Sequence, residues 1–123
     1  MISNIVSNFL YFQTSLKICH WQTFSYSVHK ATDELYESIS ENIDKFVEVL
    51  QGTRNERVFF SKPEYITLTN VDNANKNILL TNFKNYLLSL TSDNIITETD
   101  LINIRDEMVA DIDQTLYLFT FKN

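Results

Sequence analysis

The chain holds one glycine, Gly52, and one proline, Pro63, in 123 residues. Average usage is roughly 7% Gly and 5% Pro. Hairpin-rich folds need turn residues often, because their tight turns demand positive φ or a preset φ. A chain this poor in both can reverse direction only rarely. It is expected to be all-α and built from a few long helices. Gly52 and Pro63 fall near the middle, which places one major interruption there.

Apolar spacing divides the chain accordingly. Ile2, Ile5, Val6, Phe9, Phe12, Leu16 and Cys19 follow the i, i+3, i+4 rule of one helix face over 2–22. Residues 23–26 form a short connection. Val28, Ala31, Leu35, Ile39, Ile43, Phe46 and Leu50 repeat the pattern over 27–51, with Ser27 expected as N-cap and Gly52 as the stop. Residues 53–71 lose the period and are too long for a tight helix hairpin, so they are expected to cross along the bundle. Helical spacing resumes over 72–90 at Leu79, Leu80, Phe83, Tyr86, Leu87 and Leu90, behind a cap at Asp72. A loop at 91–94 precedes the last helix, 97–120, which carries Leu101, Ile104, Met108, Ile112, Leu116 and Phe119. Thr97 and Asp100 resemble its capping box. Two helix pairs joined by one long connection describe a ferritin-like four-helix bundle, expected in up-down-up-down order with the crossover between helices 2 and 3.

Length and composition narrow the classes. The chain is expected to be one domain over 1–123, long enough to bury a core without staples. Cys19 is the sole cysteine, which excludes an intrachain disulfide and fits a reducing, cytoplasmic setting. No apolar run approaches the roughly 18 residues of a membrane span, and the first dozen residues do not read as a signal peptide. Net charge is −6 and no basic run occurs, so no DNA binding is expected.

The only histidines, His20 and His29, flank the first helix connection. On antiparallel neighbours, both imidazoles reach the same end of the bundle. Two such histidines are by themselves more often surface or capping residues. The second helix adds to them. At about 100° per residue, with His29 at 0°, Asp33 falls at about 40°, Asp44 at about 60°, Glu37 at about 80° and Glu48 at about 100°. Leu35, Ile39, Phe46 and Leu50 lie at about 240° to 300°. An acidic stripe of this kind is usually a solvated face. This one has few cations to neutralise it, and imidazole with carboxylate suits iron or zinc better than calcium or magnesium. His29 and Asp44 stand roughly 22 Å apart along a helix, so one chain cannot close a site from both. A second copy packed antiparallel about a two-fold axis can, twice per dimer.

The segment HWQTFSYSVHKATDELYESISENIDKFVEVLQG, residues 20–52, resembles the ferroxidase segment of the Dps-type miniferritins. That family closes its first helix with His-Trp and starts the next with a His followed by Asp at the fourth place. An Asp-x-x-x-Glu follows, its Asp fifteen residues after that second His. His20 with Trp21, His29, Asp33, Asp44 and Glu48 hold those places here. The resemblance implies an iron-binding ferroxidase that oxidises Fe(II) to Fe(III) with peroxide or oxygen and stores or detoxifies the iron under oxidative stress. His20 and His29 would bind from one subunit, Asp44 and Glu48 from its partner, with Asp33 adjacent and Trp21 supporting the site from behind. Zinc is the expected substitute metal. The implied partner is a second copy in a two-fold dimer, the unit of the family's dodecameric shell. A reading from another class is a non-catalytic helical assembly protein, virion-associated if virus-encoded, that reuses the bundle. A zinc-only site stabilising a dimer is a third. Tyr11, Tyr26 and Tyr36 are expected to be packing or interface residues, and Cys19 to be a buried thiol.

Overall fold

The computed structural model describes residues 2–122. The chain between them forms four helices, α1 (Ile2–Gln22), α2 (Tyr26–Arg54), α3 (Lys76–Ser92) and α4 (Thr99–Leu118), and no strand occurs among the described residues. Each helix buries the stripe that its apolar spacing marks. Ile2, Ile5, Phe9, Phe12 and Leu16 of α1 join Leu35, Ile39, Ile43, Phe46 and Leu50 of α2 in one core. Leu80, Phe83, Leu87 and Leu90 of α3 and Leu101, Ile104, Met108 and Ile112 of α4 complete it. Phe9 sits at the centre, edge-on to Phe46 at 5.2 Å and to Phe83 at 5.9 Å. That edge-to-face geometry suits the quadrupoles of aromatic rings. No helix among the described residues is long and apolar enough to cross a membrane.

Several helix ends differ from the sequence expectation. Ser25, not Ser27, caps α2, its side chain accepting the Val28 N–H at 3.2 Å. Gly52 does not stop that helix. A Cβ there would meet only open space, so the glycine is neither a turn nor a close approach. The stop is Asn55, left-handed at φ 51° and ψ 46°, whose N–H returns to the Gln51 carbonyl. Asn is the residue after Gly that best tolerates this conformation. Asp72 lies outside α3, in the turn before it, where its carboxylate accepts the Ala74 and Asn75 N–H groups. Thr97 does not cap α4: Glu98 occupies the cap position, with no side-chain bond to the helix.

Side-chain pairs give the helix directions. Phe9 meets Phe46, Gln13 bonds Ser40 at 2.8 Å and His20 stacks on His29, so α1 and α2 are antiparallel. Ser38 with Asp111 and Arg54 with Glu98 make α2 and α4 antiparallel. Phe12 stacks on Phe83 and Phe9 approaches Tyr86, so α3 is antiparallel to α1 as well. It follows that α2 and α3 run the same way. The order is up-down-down-up, which corrects the alternating order expected from sequence. The reason is the connection. Residue 54 lies at the far end, bonded to Glu98, while the Val71 N–H bonds Gln22 at 2.8 Å beside the start of α2. The intervening chain carries the backbone back along the bundle, and α3 then starts where α2 started.

Candidate functional site

The end of α1 and the first turn of α2 bring the two histidines into one clasp. Their rings stack with centroids 3.8 Å apart and planes 20° from parallel. Each ring also bonds the other residue's backbone. His20 Nδ1 lies 2.8 Å from the His29 carbonyl oxygen, and His29 Nδ1 lies 2.9 Å from the His20 carbonyl oxygen. A carbonyl only accepts, so both Nδ1 atoms carry the hydrogen. In the neutral rings both Nε2 lone pairs are then left for a ligand. This is the arrangement by which metal-binding histidines are oriented from behind.

Thr32 adds to the clasp. It is fully buried, donates to the Val28 carbonyl at 2.8 Å, and places its oxygen 3.3 Å from His20 Nδ1. Sequence reasoning missed Thr32. The signal available was its place one helical turn after His29 and Val28. His20 is nearly buried, whereas His29 is exposed.

The carboxylates do not join the histidines within one chain. Asp33, Asp44 and Glu48 are all exposed on α2. Asp33 stands about one turn beyond His29. Asp44 and Glu48 lie on the same unbroken helix, so the separation of roughly 22 Å between His29 and Asp44 stands. Among the described residues, no group of three or more His, Cys, Asp or Glu side chains converges to hold a metal. A single chain therefore holds the two imidazoles at one end of α2 and the acidic stripe toward the other.

Trp21 is 70% exposed, with the Lys17 ammonium 5.9 Å from its ring centroid. It does not lie behind the histidines in the single chain, because the last turn of α1 points it outward. Phe24 and Tyr26 are also exposed, so of the two roles expected for Tyr26 a single chain leaves only that of an interface residue. Together the three leave an aromatic surface around the clasp. Tyr36 packs as expected, under the Lys17 ammonium at 4.2 Å. Cys19 is buried beside the clasp, and burial pushes its thiol up to about 11, so it stays protonated and unreactive at neutral pH.

The model of a family of unknown function, DUF5856, matches residues 20–119. The chain belongs to that family. The match takes in the clasp, the acidic stripe, the long connection and both later helices. No curated protein and no solved structure matches the chain.

Proposed function

We propose that the protein is a Dps-like iron-binding ferroxidase, working as a two-fold dimer with its sites shared between subunits. The reading rests chiefly on the reciprocal histidine bonds. They tie up both Nδ1 atoms and so leave both Nε2 lone pairs as the acceptors a metal would need. It is supported by the single long connection between α2 and α3, the one crossover that marks a ferritin-like bundle.

His20 and His29 supply neutral nitrogen ligands. Asp44 and Glu48 of a second copy supply the negative charge that stabilises the ferric product. Asp33 lies beside the histidines to draw in ferrous ions. Iron is the substrate here. Two Fe(II) ions give up one electron each, and one hydrogen peroxide accepts both with two protons and leaves as two waters. Dioxygen is the other candidate oxidant. The protein's part is position and ligand charge, while the metal supplies the electrons. The product is stored or detoxified ferric iron, held in a shell if dimers build up to a dodecamer of the Dps type. Zinc would occupy the same donors without turnover.

The exposed Trp21, Phe24 and Tyr26 favour a second reading, a non-catalytic assembly protein that uses this aromatic surface for packing. Native mass with metal content, followed by a ferrous oxidation assay, separates the two. The ferroxidase reading expects dimers or larger assemblies that bind ferrous iron and oxidise it faster than buffer. Assemblies that neither bind iron nor speed its oxidation would leave only the second reading.

A further inference from the structure

The crossover between α2 and α3 lies open to solvent. Every residue from 59 to 70 is exposed, among them Phe59 at 76%, Tyr65 at 91% and Leu68 at 66%. The segment is also extended. It runs from Arg54, bonded to Glu98, to Val71, bonded to Gln22 beside the start of α2. That distance is close to the length of the 29-residue α2, roughly 43 Å at about 1.5 Å per residue. Residues 55–71 cover it at roughly 2.5 Å each, against a limit of about 3.3–3.6 Å.

Its backbone is unused. Among the described residues, no N–H or carbonyl of residues 59–69 bonds elsewhere in the chain. The flanking N–H groups do: Val58 donates to the Gln51 side chain and Val71 to the Gln22 side chain, each at 2.8 Å. Pro63 has no N–H to offer and interrupts any ladder. The stretch left open to pairing is 64–70, and its centre is Thr67.

An exposed crossover is ordinarily just solvated. This one reads Tyr65-Ile66-Thr67-Leu68-Thr69, aromatic and β-branched at all but one place. A row of free N–H and carbonyl groups on such a segment is a template for another strand.

We propose that the crossover is an interface with a second copy of this chain, residues 64–70 of the two copies pairing antiparallel about a two-fold axis at Thr67. Three observations select a second copy. The register is self-complementary: Thr67 faces the partner's Thr67, Ile66 faces the partner's Leu68, and Tyr65 faces the partner's Thr69, all favourable cross-strand pairs. Both ends of the ladder stop at the same rung, because Val71, whose N–H is taken, faces the partner's Pro63, which has none. The charges also agree. Two copies of net charge −6 repel unless they meet on neutral surface, and 65–71 carries no charge. Just beyond it, Lys62 faces the partner's Asp72, twice per pair. The Asp72 Oδ1 atom accepts the Ala74 and Asn75 N–H groups, which leaves Oδ2 for the ammonium. The contact uses none of the histidines or carboxylates of α2, so it stands whether or not the protein binds iron.

The test is cross-linking of the full chain carrying Thr67→Cys, Tyr65→Cys or Thr69→Cys, with oxidised glutathione as oxidant. Cys19 is buried and does not compete. Thr67→Cys should form a disulfide-linked dimer, since opposed Cα atoms lie about 4.5–5.5 Å apart, within disulfide reach. Tyr65→Cys alone should not, because its two copies stand four residues apart along the ribbon, roughly 13 Å. Mixed with Thr69→Cys it should cross-link. Successive N–H groups of a strand point to opposite edges, so either Thr67→Pro or Leu68→Pro must remove a ladder bond, twice per pair. That variant should weaken the dimer at least tenfold in sedimentation equilibrium. Helix content by circular dichroism should stay unchanged, because this backbone bonds nothing within the chain. Dimers that form while Thr67→Cys fails to cross-link would overturn the proposal and leave the shared α2 site untouched. So would dimer affinity unchanged in both proline variants, cross-linking of Tyr65→Cys alone as readily as Thr67→Cys, or a monomeric chain whose crossover pairs only with an unrelated peptide.

Discussion

Mixing two inactive variants, His20→Ala and Asp44→Ala, tests the shared site most directly. The structure first says that both should fold. His20→Ala loses the bond to the His29 carbonyl and the longer contact with Thr32. The His29 carbonyl is not orphaned, since it lies inside α2 and keeps the helical bond from the Asp33 N–H. The loss is then about 1–3 kcal/mol, against a total of roughly 5–15 kcal/mol for a domain. Asp44 is exposed and has no ion pair among the described residues, so its replacement changes stability by about 0.5 kcal/mol or less.

Each variant alone should lose tight iron binding, because each homodimer carries the same lesion in both sites. A heterodimer differs. One of its sites takes its histidines from the His20→Ala subunit and its carboxylates from the Asp44→Ala subunit, and so carries both lesions. The other takes both from intact segments. Random re-association of equal amounts makes about half the dimers mixed, each with one whole site of two. Recovery should therefore reach about a quarter of the wild-type iron-binding capacity and oxidation rate. The assay is ferrous oxidation after dissociation and re-mixing, with native mass confirming the heterodimer. Heterodimers that form and yet stay inactive would refute the reasoning, because a site built within one chain gains nothing from mixing.

Other expectations follow from the bundle itself. Phe46→Ala should cost about 3–5 kcal/mol in urea unfolding, because Phe46 is fully buried against Phe9 and leaves a cavity at the core's centre; a cost under 1 kcal/mol would contradict that packing. The Glu98 carboxyl is drawn down from 4.5 to about 2, first by the Arg54 guanidinium and then by the Thr97 N–H. A depressed carboxyl contributes stability above its unfolded value, so the contribution is present above pH 4.5 and lost as pH falls through about 2. Solvent screens this pair, so its worth is about 1 kcal/mol, and Arg54→Met should remove that part of the acid sensitivity while a pH profile identical to wild type would disprove it. Finally, a gel shift at moderate salt should show no sub-micromolar DNA binding, since a chain of net charge −6 without a basic run has no counterion release to draw on; a shifted band at that concentration would disprove it.

The helices and their buried faces were legible in the residues alone. Phe9, Leu35, Phe46, Leu80, Leu101 and Met108 recur at helical spacing, and all are buried. Such periodicity is local: a helix turns every 3.6 residues whatever lies beside it, so the inward stripe can be read along one segment. The histidines' place on either side of the first connection was legible for the same reason, because a short link makes neighbours of the ends it joins.

What tertiary structure decided was non-local. The run at 53–71 announced a crossover, but only the contacts Arg54–Glu98 and Val71–Gln22 place its ends at opposite ends of the bundle, and so turn α3 parallel to α2. The reciprocal Nδ1–carbonyl bonds depend on how α1 and α2 are rotated about their axes, which apolar spacing leaves loose by tens of degrees. Trp21 and Tyr26 face outward for that same reason. A cleft beside Tyr86 arises from the gap between α1 and α3, helices that residues 23–75 separate. Sequence period determines which face of a helix turns inward, whereas the angle at which two faces meet is settled only when side chains from distant segments pack against one another.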